Sequence, residues 1–125
     1  MEMRELTKAE EEIMQVLWGL EKAFVKNVIA ELPDPKPAYN TVSTIIRILE
    51  QKGFVDHEAY GKSYAYFPLI SKDQYRKFAS SKLMSGYFEG SVGQLVSFFV
   101  EQEKIDLNEA DEILQMLENL KNKDQ

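Results

Sequence analysis

Within the stretch Tyr39–Gly53, Val42, Ile45, Ile46 and Leu49 fall at i, i+3, i+4 and i+7, the spacing that lays one apolar stripe along a helix. Successive residues turn by about 100° around the axis, so Asn40, Ser43, Thr44, Arg47 and Gln51 gather on the opposite, polar side. The same spacing occurs twice upstream, in Ile13, Val16, Leu17, Leu20 and in Val25, Val28, Ile29, Leu32. Thr7-Lys8-Ala9-Glu10 has the form of a capping box and should open the first helix. Glu10, Glu11 and Glu12 suit its dipole and are expected to be solvated. Pro33 ends the second helix, and Pro33 to Pro37 forms a stiff, extended connection into the third. Gly53, after Lys52 in the last turn, stands where a C-cap belongs.

Phe54–Ala59 and Ser63–Phe67 are rich in strand formers and are separated by Tyr60-Gly61-Lys62, which predicts a hairpin. Tyr64 and Tyr66 share one strand face, and His57 reads as a polar strand residue. Pro68 closes the hairpin, and Ser71-Lys72-Asp73-Gln74 opens a helix carrying Tyr75, Phe78, Ala79, Lys82 and Leu83. Gly86 and Gly90 interrupt, Ser91 caps a helix bearing Val92, Leu95, Val96, Phe99 and Val100, and Asp106 opens the last. The final stripe is Leu107, Ala110, Ile113, Leu114, Leu117 and Leu120. Three helices, the third polar outside, followed by a hairpin, predict a mostly α winged helix-turn-helix domain over 1–70. The connection before the third helix is longer than the three or four residues of the tightest form, which favours the winged variety. Residues 71–125 form a helical tail with more apolar surface than it can bury alone, so dimerisation through Val92, Leu95, Val96, Phe99, Ile113, Leu117 and Leu120 is expected.

Composition narrows the chemistry. The chain has no cysteine and a single histidine, which removes disulfides, thiolate metal sites and histidine clusters. No nucleophile–base pair, phosphate loop or metal constellation stands at a recognisable spacing, so neither an enzyme nor a cofactor is expected. No apolar run reaches the length of a membrane span and the first residues do not form a signal peptide, which places the chain in the cytoplasm. The net charge is −6, yet from Lys36 to Lys77 seven bases face four acids, a balance of +3. No carboxylate occurs between Lys36 and Leu49. A helix with a short, hydrogen-bonding, carboxylate-free outer face fits the major groove of duplex DNA. Asn40, Ser43, Thr44 and Arg47 are then the base readers, with Arg47 the candidate for a bidentate guanine contact, while Lys62, Lys36 and Lys52 approach phosphates.

Asn40–Gly53, the Gly61-Lys62-Ser63-Tyr64-Ala65-Tyr66-Phe67-Pro68 hairpin and the helical tail together resemble the penicillinase repressor and methicillin-resistance repressor family, which includes copper-responsive repressors. The most specific matches are Thr41-Val42-x-Thr44, Leu49-x-x-Lys52-Gly53 and Gly61-Lys62 followed by Tyr66-x-Pro68. The resemblance implies a winged-helix dimer on a dyad-symmetric operator, bound through the third helix with Thr41 among its contacts. It also implies repression of β-lactam resistance, metal-handling or other stress genes. Members of the β-lactam branch are inactivated by tail proteolysis, triggered by a membrane metalloprotease receptor, and the equivalent bond lies near Phe98 and Phe99. Phe98 stands where those relatives have asparagine, and a doubled phenylalanine is also what dimer packing would give. Copper sensing through paired cysteines is absent, and Ile48 replaces a usual family arginine. The acidic pI and that missing arginine support an alternative: a winged helix that holds a partner protein instead of DNA.

Overall fold

The computed structural model describes residues 3–123. Its elements run α1 (Lys8–Leu20), β1 (Ala23–Phe24), α2 (Val25–Glu31), α3 (Tyr39–Gln51), β2 (Val55–Tyr60), β3 (Ser63–Pro68), α4 (Lys72–Tyr87), α5 (Val92–Glu101) and α6 (Leu107–Lys123). The chain divides into two units between Ala79 and Ser80, inside α4.

In the first unit the expected capping box forms: Thr7 Oγ1 accepts from the Glu10 amide at 3.2 Å and the Glu10 carboxylate accepts from the Thr7 amide at 2.8 Å. The buried row of α1 is Glu10, Ile13, Met14 and Leu17, which is the i, i+3, i+4, i+7 spacing begun one turn earlier than the apolar residues suggest. Leu20, expected on the stripe, is therefore exposed, and Glu10 is buried instead of solvated. The α2 and α3 stripes supply Val28, Val42, Ile46 and Leu49, which meet Met14, Leu17, Phe54 and Val55 in one core.

The end of α3 is closed by paired backbone bonds, Phe54 N–H to Leu49 C=O at 2.9 Å and Gly53 N–H to Glu50 C=O at 3.0 Å. Gly53 sits at φ 84°, the left-handed turn this cap needs, and the apolar pair it brackets, Leu49 and Phe54, is fully buried. The hairpin forms as expected, pairing Tyr60 with Ser63 at its tip and Val55 with Pro68 at its root. A third strand joins it: Ala23 and Phe24 pair antiparallel with Tyr66 and Ala65, so the order is β1-β3-β2. Two residues carry no periodicity, and this strand is not readable from the sequence.

The start of α4 belongs to this unit. Ser71 and Gln74 exchange cap hydrogen bonds, Tyr75 is buried, and Phe78 and Ala79 pack on the core. The Tyr75 hydroxyl accepts from the Leu6 amide at 2.9 Å and Trp18 Nε1 donates to the Ile70 carbonyl at 2.9 Å, tying down the segments on either side of the winged domain.

In the second unit α4 runs through Gly86 to Tyr87, and the break comes at Glu89 and Gly90, both at positive φ. Ser91 caps α5 and Asp106 caps α6 through the amides of Gln94 and Glu109. No described residue from Ser80 onward is buried. Val92, Phe99, Leu117 and Leu120 are exposed, while Leu95, Val96 and Ile113 are half-buried. No described helix is long and apolar enough to cross a membrane.

Candidate nucleic-acid interface

On the outward side of α3, Asn40, Thr41, Thr44, Arg47, Ile48 and Gln51 are exposed. The helix starts at Ala38 with no side-chain cap, so its first amides, at the positive end of the helix dipole, remain directed at whatever lies in front.

Arg47 is not free on this surface. Its guanidinium donates to Ser43 Oγ, one turn back, at 3.1 Å. Ser43, expected among the outward readers, is instead buried at 8% exposure. The reason is its place on the helix, near the boundary between the apolar stripe and the polar side, where a small side chain tucks beneath the longer arginine. Ser43 thus orients Arg47 and does not itself face outward.

Two of the lysines expected near phosphates are committed elsewhere. Lys36 Nζ donates to the carbonyls of Ala30, at 3.0 Å, and of Leu32, closing the C-terminal end of α2. Lys52 Nζ lies 2.8 Å from both oxygens of Glu10. Burial pushes the Glu10 carboxyl up, but the hydrogen bonds from Lys52 and Thr7 and the Lys52 charge outweigh it and hold its pKa below the ordinary 4.5. This pair joins the start of α1 to the end of α3 and fixes the pose of the outward helix. Lys62 remains exposed at the hairpin tip, beside Gly61 at φ 62°. Together with Tyr39, Tyr64 and Arg47 it lines a cleft between α3 and the wing.

The wing is braced at both ends. At its root His57 Nδ1 meets the Glu50 carboxylate of α3, and the His57 ring stacks on Tyr64 with centroids 4.3 Å apart. His57 is therefore a tie between α3 and the sheet, more than a polar strand residue. Tyr66, beneath them, has its hydroxyl pKa raised by burial and by the Glu50 charge. Nearer the tip, Lys22 Nζ contacts Glu58 Oε2 at 2.5 Å and lies 5.7 Å from the Tyr60 ring centroid, while Tyr60 donates to Glu58 at 2.9 Å. Glu50, Asp56 and His57 bring three ligand atoms within 4.8 Å of one another. Glu50 and His57 already satisfy each other, and Asp56 Oδ1 accepts from the His57 amide at 2.8 Å, so the trio is accounted for as a brace. The Glu10–Lys52, Lys22–Glu58 and Glu50–His57 ties have no local sequence signal, since their partners are 7 to 42 residues apart.

The sequence model of the penicillinase repressor family matches residues 6–119. The methicillin resistance regulatory protein MecI of Staphylococcus aureus (strain N315) is 30% identical over 114 residues, covering 90% of this chain and 93% of that protein. The penicillinase repressor of Bacillus licheniformis is 28% identical over 120 residues, 95% of this chain and 94% of that one. Among solved structures, the solution structure of the DNA binding domain of the repressor BlaI is similar at TM-score 0.52 and 28% identity, over 59% of this chain and 92% of that chain.

Proposed function

The chain belongs to the penicillinase repressor family, and from that premise we propose that it is a homodimeric, sequence-specific transcriptional repressor. Each copy lays the outward side of α3 into a major groove of a dyad-symmetric operator. Asn40, Thr41, Thr44 and Arg47 approach base edges, with Arg47 bidentate to a guanine, and Lys62 meets a phosphate from the wing. Repression is by occupancy of promoter DNA. The observation that carries the reading is an outward helix side whose exposed residues include no carboxylate, Glu50 being half-buried against His57, and whose one arginine is pre-oriented by Ser43.

The uncovered apolar side chains of α5 and α6 support pairing of two tails, because a face of this kind is stable in water only when another surface covers it. Phe98 and Phe99, both partly exposed on α5, are where a protease triggered by a membrane sensor would cut. Cutting there would dismantle the same apolar face and release the operator. Persistence of an intact tail during full induction would remove this last step.

The test is the affinity of the full chain for duplexes enriched from random DNA, measured as salt is raised. Counterion release makes log K fall steeply and linearly with log salt. Arg47→Ala is expected to cost about 1–3 kcal/mol and to relax preference at one base pair. A salt-independent affinity would favour a module that binds protein, and unchanged binding by Arg47→Ala would refute the docking.

A further inference from the structure

Ile48 is 39% exposed on a helix face otherwise built from polar groups. It follows Thr44 by four residues and Thr41 by seven, so the three side chains border one edge of the outward side, and each carries a methyl group. Asn40 and Arg47 run alongside on the hydrogen-bonding row. An isoleucine pressed against a phosphate or a polar base edge would strip water from polar atoms and return no bond. The major groove offers one apolar group, the C5 methyl of thymine.

We propose that Ile48, flanked by Thr44, reads a thymine methyl at the base step beside the one read by Arg47, so that this chain specifies an A·T pair there. The inference rests on the docking of α3 proposed above. It gives the exposed isoleucine a specific partner chemistry: apolar surface is buried against apolar surface, and no hydrogen-bonding group is left unpaired. Discrimination by a single methyl contact is modest, about fourfold, the factor that burying one methyl-sized group supplies.

The experiment uses the full chain and a duplex enriched from a random pool, in which each thymine in turn is replaced by deoxyuridine. That exchange removes the methyl and leaves every pairing and groove hydrogen-bonding group in place. Wild type is expected to lose about fourfold in affinity at one thymine per half-site and to be indifferent at thymines outside the contacted steps. Ile48→Ala, folded as judged by Trp18 emission and thermal unfolding, is expected to bind the unsubstituted duplex more weakly and to lose its sensitivity to deoxyuridine at that position. Indifference of wild type to deoxyuridine at every position overturns the inference, as does an equal loss in Ile48→Ala. If no sequence is enriched at all, the docking itself falls and the methyl readout with it, an outcome distinct from tight binding that ignores the methyl.

Discussion

Replacing Lys52 with methionine tests how the outward helix is held. The ammonium of Lys52 lies 2.8 Å from both Glu10 oxygens, with side-chain exposures of 19% for Lys52 and 6% for Glu10. Methionine keeps the length and apolar stem and deletes the charge, leaving Glu10 a buried carboxylate held by Thr7 alone. Removing one partner of a buried pair costs about 3–5 kcal/mol. Because the Lys52 end keeps some contact with water, the lower figure applies, about 3 kcal/mol, which is on the order of 15 °C in Tm for a domain of this size. Urea unfolding followed through Trp18, the only tryptophan in the chain, measures the loss directly. Adding Glu10→Gln removes the stranded charge and is expected to restore at least about 1 kcal/mol. The pH dependence carries a sign. The Glu10 carboxyl is held below its ordinary 4.5 in the folded protein, so its contribution is complete above that value and is lost as pH falls through the folded pKa. In Lys52→Met the carboxyl loses the cation and its pKa rises, so the stability gap to wild type narrows on acidification. A single-variant loss under about 1 kcal/mol, or a double variant no more stable than the single one, would refute the reasoning.

Further expectations concern the cap, the reader and the tail. Gly53→Ala forces an L side chain to φ 84° and is expected to cost about 1–2 kcal/mol in the same urea assay. Ser43→Ala removes the acceptor that orients Arg47 and is expected to weaken DNA binding by about 0.5–1.5 kcal/mol, with non-additivity when combined with Arg47→Ala. Lys62→Ala is expected to reduce the salt slope of binding by about one unit while leaving sequence preference intact. Leu117→Glu places a charge on the uncovered face of α6 and is expected to shift the protein to monomer in sedimentation, weakening operator binding without unfolding the winged unit.

Much of the local structure is written in short stretches of sequence. The capping boxes at Thr7 and Ser71, the caps at Ser91 and Asp106, the Gly53 turn and the hairpin about Gly61-Lys62 each depend on residues within a few positions of one another. Periodicity likewise determines which side of α3 is apolar, and composition keeps carboxylates off the helix as far as Leu49. From these alone the winged helix, the polar outward side of α3 and the uncovered apolar tail are legible.

What a side chain on that face does depends on atoms brought from elsewhere in the chain. Lys36, Lys52 and Lys62 are alike in sequence, yet one closes α2, one neutralises Glu10 and one stays exposed at the wing tip. Glu10 joins the core row of α1 only because Lys52 arrives 42 positions later to pair with it. His57 becomes a brace because the end of α3 presents Glu50, and Ala23–Phe24 becomes a strand because β3 has an edge to offer. A helical period assigns each residue to a side of its own element; charge pairing and strand pairing are chosen in three dimensions, by whichever partner ends up across the gap.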